Sequence, residues 1–284
     1  MAGSAPRPPQ RPIGVFDSGV GGLTVLHELL VTLPHEDFLY LGDTARFPYG
    51  VRTPEELERF GMQIAEHLLR ERTKLLVVAC NSLAASALPA LQARMMETTL
   101  GVDVVAVVGP ESQLAVDATR NGKIGLLATP ATVASGAYTR AVAAVDPLVE
   151  LHAVPCPDLA PIIQGGFPFD QHVVDTVRGY CKPLREAGVD TVILGCTHYP
   201  LVAPMLQRTL GGDVTLVSSG AAVARRVEHA LRVRNLVNPR EDEGDYRFLC
   251  TGDAEAFRTL GTHFLQMPLG EIVHVDLERE PAAA

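Results

Sequence analysis

The chain has 284 residues, 47% of them hydrophobic and 20% charged, a composition that supports a sizeable core and excludes wholesale disorder, collagen-like repetition and a small disulfide scaffold. Its length suits one large domain or two of moderate size, at roughly 100–200 residues per domain. With 24 Lys+Arg against 33 Asp+Glu the formal charge is −9, which argues against binding driven by nucleic-acid phosphates or an anionic membrane surface and favours a small-molecule partner.

Residues 1–11 are rich in Pro and Arg and lack an apolar h-region, so they read as a flexible tail rather than a secretory signal. No apolar run approaches the roughly 20 residues a bilayer core requires, and a cytoplasmic protein without membrane contact is expected. Short apolar runs then recur at Ile13–Phe16, Phe38–Leu41, Leu75–Ala79, Val104–Val108, Ile124–Ala128, Thr191–Leu194 and Val214–Val217. Most lack polar alternation, so both faces would be buried, as in a parallel sheet covered by helices. Between them lie helical patterns at Leu23–Leu33, Ala84–Glu97, Glu111–Asn121, Thr132–Ala144, Gln171–Ala187 and Ala221–Asn235. Another helix starts at Thr53-Pro54-Glu55-Glu56, a capping box with proline in the first turn, and is expected to run to about Arg72. Strands alternating with helices predict an α/β fold.

The chain also resembles itself. Leu76-Val-Val-Ala-Cys80-Asn-Ser82 matches Val192-Ile-Leu-Gly-Cys196-Thr-His198, and Ile13-Gly-Val-Phe-Asp-Ser18 more weakly matches Ile124-Gly-Leu-Leu-Ala-Thr129. The two offsets are similar, which predicts two similar lobes, each a mainly parallel sheet flanked by helices. The lobes would be pseudo-twofold related with the active site between them. The second lobe is expected at 107–217, with 12–106 and 218–284 forming the first.

Ligands of open α/β sheets bind beyond the carboxyl ends of the strands. There the sequence places Asp17-Ser18-Gly19, Gly42-Asp43-Thr44, Cys80-Asn81-Ser82, Thr129 and Cys196-Thr197-His198. Gly19, Gly21 and Gly22 would let the chain approach a ligand before a helix whose N-terminal amides favour an anion, but neither a dinucleotide fingerprint nor a P-loop is present. The five cysteines form no C-x-x-C pair and read as thiols. Cys156, Cys181 and Cys250 suit small buried positions. Cys80 and Cys196 instead end equivalent strands near helix starts, where a thiolate is favoured. A free thiol has a pKa of about 8.5, so one of the pair can be ionised near neutrality while the other keeps its proton, as removal and return of a proton on opposite faces of a carbon requires. The only lysines, Lys74, Lys123 and Lys182, are poorly placed for a pyridoxal Schiff base, and the scattered histidines supply no metal set. No cofactor and no metal are expected.

FDSGVGGLTVL at 16–26, LGDTARFPYG at 41–50, ACNS at 79–82, SGAYTRA at 135–141 and LGCTHYPL at 194–201 resemble the motifs of the glutamate racemases, within the aspartate/glutamate racemase superfamily. The likeness spans about residues 12–235. It implies cofactor-independent interconversion of L- and D-glutamate, supplying D-glutamate for peptidoglycan, in a protein that is commonly a homodimer. By motif matching Cys80 and Cys196 fall on the two catalytic thiols, with Asp17 and His198 assisting proton transfer. Asp17, Ser18, Tyr49, Gly50, Asn81, Ser82, Thr129, Thr132, Thr197 and His198 fall on substrate-binding positions. The residues' own chemistry suits this: hydroxyls of Ser18, Ser82, Thr129 and Thr197 for carboxylates, Asp17 and Asn81 as acceptors for an ammonium. Ser82 and Thr197 also suit helix capping, and Tyr49, between Pro48 and Gly50, also suits a turn.

The chain departs from the resemblance at Gln164, where the family usually carries a glutamate assisting the second thiol. An amide can orient a group but not exchange a proton, so assistance at Cys196 would fall to His198, Asp158 or Asp170. Milder departures are Ser82 for the commoner threonine and Ser218 for a frequent aspartate. Two other readings remain: a racemase of aspartate or another amino acid from the same superfamily, and a glutamate-binding regulatory protein without turnover.

Overall fold

A computed structural model describes residues 8–97, 101–166 and 170–278. Among the described residues ten strands form two sheets in which every pairing is parallel. In chain order they are β1 (Ile13–Asp17), β2 (Phe38–Gly42), β3 (Leu75–Val78), β4 (Asp103–Ala106), β5 (Lys123–Ala128), β6 (Glu150–Pro155), β7 (Thr191–Gly195), β8 (Thr215–Val217), β9 (Tyr246–Cys250) and β10 (Ile272–His274). The larger sheet has the order β10-β9-β2-β1-β3-β4 and the smaller β6-β5-β7-β8. The chain leaves the first sheet after β4 and returns to it after β8. Within each sheet the order 2-1-3-4 recurs, with β1 beside β3 and β5 beside β7, so the strands ahead of Cys80 and Cys196 hold equivalent places.

The helices are α1 (Leu23–Thr32), α2 (Pro54–Arg70), α3 (Asn81–Glu97), α4 (Val108–Ala118), α5 (Pro130–Ser135), α6 (Ala137–Val145), α7 (Leu159–Gln164), α8 (Gln171–Ala187), α9 (Ala203–Leu210), α10 (Gly220–Val233) and α11 (Ala254–Leu265). The expected α/β class, two parallel sheets flanked by helices, is what the chain adopts. All seven predicted strands are present, and β1, β2, β3 and β7 are buried throughout, which is why their sequences read as unbroken apolar runs. Val107 and Val108, counted above as strand, turn into α4. The predicted helix 132–144 is two helices broken at Gly136, which takes the left-handed conformation. Strands β6, β9 and β10 escaped the sequence reading: β6 is an edge strand with Glu150 and other side chains facing solvent, and β10 has only three residues.

The capping box starts α2 as expected, with Glu56 N donating to Thr53 Oγ1 at 3.2 Å and Thr53 N to Glu56 Oε2 at 3.0 Å. Of the expected tail, residues 1–7 lie outside the described residues, and Pro8–Gln10 forms a 3-10 turn. The buried Lys74 ammonium ties this segment down at the amino end of the first sheet. It donates to the Glu36 carboxylate, to Pro9 O at 2.6 Å and to Leu236 O at 2.9 Å, and Glu36 also accepts from Asn238 N at 2.8 Å. Removing one partner of such a pair strands a buried charge, at a cost of about 3–5 kcal/mol. Among the described residues, no helix is long and apolar enough to cross a membrane.

Candidate active site

The carboxyl ends of both sheets face one cavity. Ser18 after β1, Cys80, Asn81 and Ser82 after β3, Thr129 after β5, and Cys196, Thr197 and His198 after β7 all line it, with Tyr49 and Gly50 from the Tyr49–Val51 3-10 turn. Two residues singled out above, Asp17 and Thr132, are buried behind this lining.

The loop from β1 to α1 uses its amides differently from the expectation. The anion it holds is the protein's own: Gly19 N donates to Asp17 Oδ2 at 3.1 Å, and the Ser18 and Gly22 amides also hydrogen-bond to that carboxylate. Such a nest of N–H groups is a ready anion site, and Thr197 Oγ1 adds a longer contact at 3.4 Å from the other sheet. Burial still pushes Asp17 above the ordinary carboxylate range, and these hydrogen bonds pull it back. Gly21 serves lobe contact rather than ligand approach, since a Cβ there would overlap Thr197 Oγ1 and His198 Nδ1. Thr24 Oγ1 donates to Thr197 O at 3.1 Å, so the start of α1 and the segment after β7 are closely joined.

Both strand-end thiols are buried and free. Proximity to a helix start led to the expectation of a readily ionised thiol, and here burial wins. Desolvation, with the Asp17 charge second, pushes Cys80 up to about 12. Desolvation also raises Cys196 well above an ordinary thiol, with the charges of Cys80 and Asp17 adding to it. The two sulfurs therefore sense each other's charge, and ionising one opposes ionising the other.

Their neighbours differ. His198 Nδ1 lies 3.8 Å from Cys196 Sγ, and His198 Nε2 lies 2.9 Å from Gln164 Oε1. The imidazole packs between Phe47, with ring centroids 5.6 Å apart, and the edge of Phe264, at 5.1 Å. That burial lowers His198 to about 4, so the ring is neutral at physiological pH. A carbonyl oxygen can only accept, so Gln164 places the ring proton on Nε2 and leaves the Nδ1 lone pair facing the thiol. Of the acids considered as substitutes for an assisting glutamate, Asp158 accepts from Tyr180 at 2.8 Å and Asp170 caps α8 at Val173 N. Neither lines the cavity.

Hydroxyls converge opposite. Ser82 Oγ and Thr129 Oγ1 are 2.8 Å apart, Thr129 Oγ1 and Thr132 Oγ1 3.0 Å, and Thr132 Oγ1 and Ser82 Oγ 3.3 Å. Ser82 and Thr129, which line the cavity from the two sheets, can turn their O–H groups toward an anionic oxygen pair, with the Thr132 hydroxyl hydrogen-bonded behind them. Gly50 packs directly on Thr129, where a Cβ would come within 2.7 Å of the threonine Cβ. Tyr49 plays the turn role: its hydroxyl donates to Asp43, which also accepts from Arg46 Nε at 2.6 Å and Thr251 Oγ1 at 2.7 Å. The tyrosine thus reaches the cavity without a free hydroxyl.

Asn81 rests on two residues that sequence reasoning missed. Its Nδ2 donates to Glu111 Oε2 at 3.0 Å and to Tyr138 Oη at 2.7 Å, while the Tyr138 hydroxyl donates to Glu111. Burial pushes the Glu111 carboxyl up to about 8, against hydrogen bonds from Tyr138, Ser219 and Asn81. A signal for Glu111 existed. Val108, Glu111, Ser112 and Ala115 are the buried positions of α4, a helical stripe in which a carboxylate is out of place. The sequence reading began that helix at Glu111 and singled out no role for it, whereas the helix begins a turn earlier at Val108. Cys156, Cys181 and Cys250 are buried small side chains away from this lining. None of the three lysines lines the cavity, and no cluster of three metal-ligating side chains occurs among the described residues.

Comparison with known proteins gives the family of the chain. The family model described as Asp/Glu/Hydantoin racemase matches residues 23–227. The glutamate racemase of Geobacter metallireducens is 42% identical over 272 residues, covering 96% of this chain and 99% of that protein. Among solved structures, glutamate racemase isoform RacE1 from Bacillus anthracis superposes with a TM-score of 0.88 at 36% identity, covering 94% of this chain and 97% of that one. The Francisella tularensis glutamate racemase, solved in complex with D-glutamate, gives 0.88 at 31% identity, covering 96% and 100%. With the family model matching most of the sequence and relatives aligned over nearly its whole length, the chain belongs to the Asp/Glu/Hydantoin racemase family and is an isomerase.

Proposed function

We propose that this protein interconverts L- and D-glutamate by moving the Cα proton between Cys80 and Cys196, without a cofactor. The observation that carries the reading is the pair of thiols after equivalent strands β3 and β7, lining one cavity, each with its own polar neighbour. Glutamate is the substrate chosen because the relatives matched over nearly the full chain are glutamate racemases. The lining suits it as well. The hydroxyls of Ser82 and Thr129, backed by Thr132, with those of Ser18 and Thr197, supply donors for two carboxylates, and Asn81 with the Asp17 charge serves the ammonium.

Burial alone keeps both thiols protonated, so substrate entry must favour ionisation of one. The ammonium brings a positive charge beside them. The thiolate takes the proton from one face of Cα, and the electron pair left behind is delocalised into the α-carboxylate, where the hydroxyl donors stabilise it. The opposite thiol delivers its proton to the other face and becomes the thiolate. One C–H bond breaks, one forms, and the charge is conserved. After turnover the thiols have exchanged protonation states; the proton a thiol gives up on ionising, and takes back on resetting, is held by Nδ1 of His198 at Cys196 and by the Asp17 carboxylate at Cys80, so no net proton is gained or lost over the cycle. The lobes 12–106 with 218–284 and 107–217 enclose the site in this reading. The resemblance further assigns the product to peptidoglycan synthesis in the cytoplasm and a homodimeric state, with no nucleic acid or membrane required.

The test is polarimetry of D-glutamate and D-aspartate in deuterated water with metal- and pyridoxal-free protein, followed by NMR at Cα. Loss of rotation with Cα deuterium from glutamate supports the reading. Turnover of aspartate in its place reassigns the substrate, and binding of glutamate without exchange makes the protein a non-catalytic binder.

A further inference from the structure

Glu111 belongs to no step above, yet it is fully buried beside the site. It sits on α4, accepts from the amide nitrogen of Asn81 at the first position of α3, and accepts a hydrogen bond from the hydroxyl of Tyr138 on α6. Ser219, just ahead of α10, hydrogen-bonds to it as well. One carboxylate thus gathers the residue next to Cys80 and three helix segments from around the junction of the two sheets. The other end of the Asn81 amide, Oδ1, is buried with no hydrogen-bond partner among the described residues, and Asn81 lines the cavity.

An asparagine amide has nearly the same shape either way round, so only its partners decide which end faces outward. Glu111 Oε2 accepts from Tyr138 and faces Asn81 as an acceptor even when Oε1 carries the carboxyl proton, and the Tyr138 oxygen, its own hydrogen turned to Glu111, is an acceptor too; together they hold the nitrogen end. We propose that Glu111, acting with Tyr138, is a positioning residue that fixes the Asn81 amide so that Oδ1 is presented to the substrate ammonium. A glutamine at position 111 ends this selection. Its own N–H can donate to Asn81 Oδ1, the amide turns, and an N–H then faces an ammonium that cannot accept it. The inference rests on the glutamate reading, and it makes Glu111 a determinant of amino-acid recognition rather than of carboxylate recognition.

Titration calorimetry with D-glutamate and with glutarate, the same diacid without the ammonium, tests it on wild type, Glu111→Gln and Tyr138→Phe. Glu111→Gln is expected to weaken D-glutamate at least ~10-fold, as loss of a hydrogen bond to a charged group implies, and to leave glutarate within about 2-fold, with Tyr138→Phe intermediate for D-glutamate. Equal weakening of both ligands would show a merely structural role and overturn the proposal, as would unchanged binding of both. Wild type that binds no glutamate would instead overturn the substrate reading itself.

Discussion

The two thiols end equivalent strands in sheets that share a four-strand order, yet their hydrogen-bonding neighbours differ in kind. Beside Cys80 stand carboxyl groups: Asp17, held by backbone amides, and Glu111, one residue removed through Asn81. Beside Cys196 the hydrogen-bonding side chains are neutral, the imidazole of His198 and the amide of Gln164, and the Asp17 charge is a lesser influence there than at Cys80. Repetition of a strand and its terminal thiol therefore does not repeat the proton chemistry around it. The lesson is that symmetry here resides in the backbone, whereas each base is tuned by side chains that arrive from elsewhere, Glu111 from α4 and Gln164 from α7.

Removing either thiol is the strongest way to break this comparison. Cys80→Ser and Cys196→Ser are each expected to lower racemisation by at least ~10³-fold, toward the upper range for loss of a general acid–base group, because an enzyme with one base on one face cannot invert the centre. Retained full activity in either variant removes that thiol from the mechanism.

Asp17→Asn and His198→Asn sharpen the asymmetry, each with an expected loss of about 10²-fold. Free enantiomers have equal energy, so kcat/KM must stay equal in the two directions in any variant. The asymmetry is read instead in primary deuterium isotope effects. Asp17→Asn should enlarge the effect for one enantiomer and His198→Asn for the other; the same enantiomer affected by both contradicts separate roles.

A smaller change comes from making the neutral side charged. Gln164→Glu sets a carboxylate against His198 Nε2, so the imidazole should rise from about 4 toward its ordinary range. The acid limb of the pH–rate profile is expected to move to higher pH, with a change in kcat below about 10-fold. An unmoved limb separates His198 from the titration.

The smallest effect is on stability. Glu111 keeps its proton in the folded chain up to about 8 but ionises near 4.5 when unfolded, so the folded state binds more protons between those values. Stability contributed at this site is lost as pH rises through that window. Glu111→Gln should flatten the fall in Tm between about pH 5 and 8, by a few degrees, while costing substrate affinity. An unchanged slope would place the titrating group elsewhere.

Much of this architecture is legible in the sequence, for physical reasons. Central parallel strands bury both faces, so β1, β3 and β7 announce themselves, and a polar residue at the end of such a strand has a fixed address at the cavity. That is why Ser18, Cys80, Asn81, Cys196 and His198 stand out from the amino-acid order alone. Edge strand β6, with its solvent face, carries no such mark. Neither do the aromatic walls of His198, because Phe47 and Phe264 lie 151 and 66 residues away along the chain and meet the ring only through tertiary packing. The high thiol pKa values are also out of reach of the sequence. A helix start near a cysteine is visible locally, but desolvation depends on how tightly two lobes close over it.

The central claim is that two thiols on opposite faces share one proton transfer, and the fate of deuterium early in the reaction tests it most directly. L-glutamate is converted to a few per cent in deuterated water, and the Cα isotope is measured separately in recovered L-glutamate and in product D-glutamate, then in the reverse direction. The account expects deuterium in the product and protium retained in the recovered substrate, both ways. Deuterium appearing equally in recovered substrate and product, or protium carried from substrate into product, would mean a single base and would contradict it.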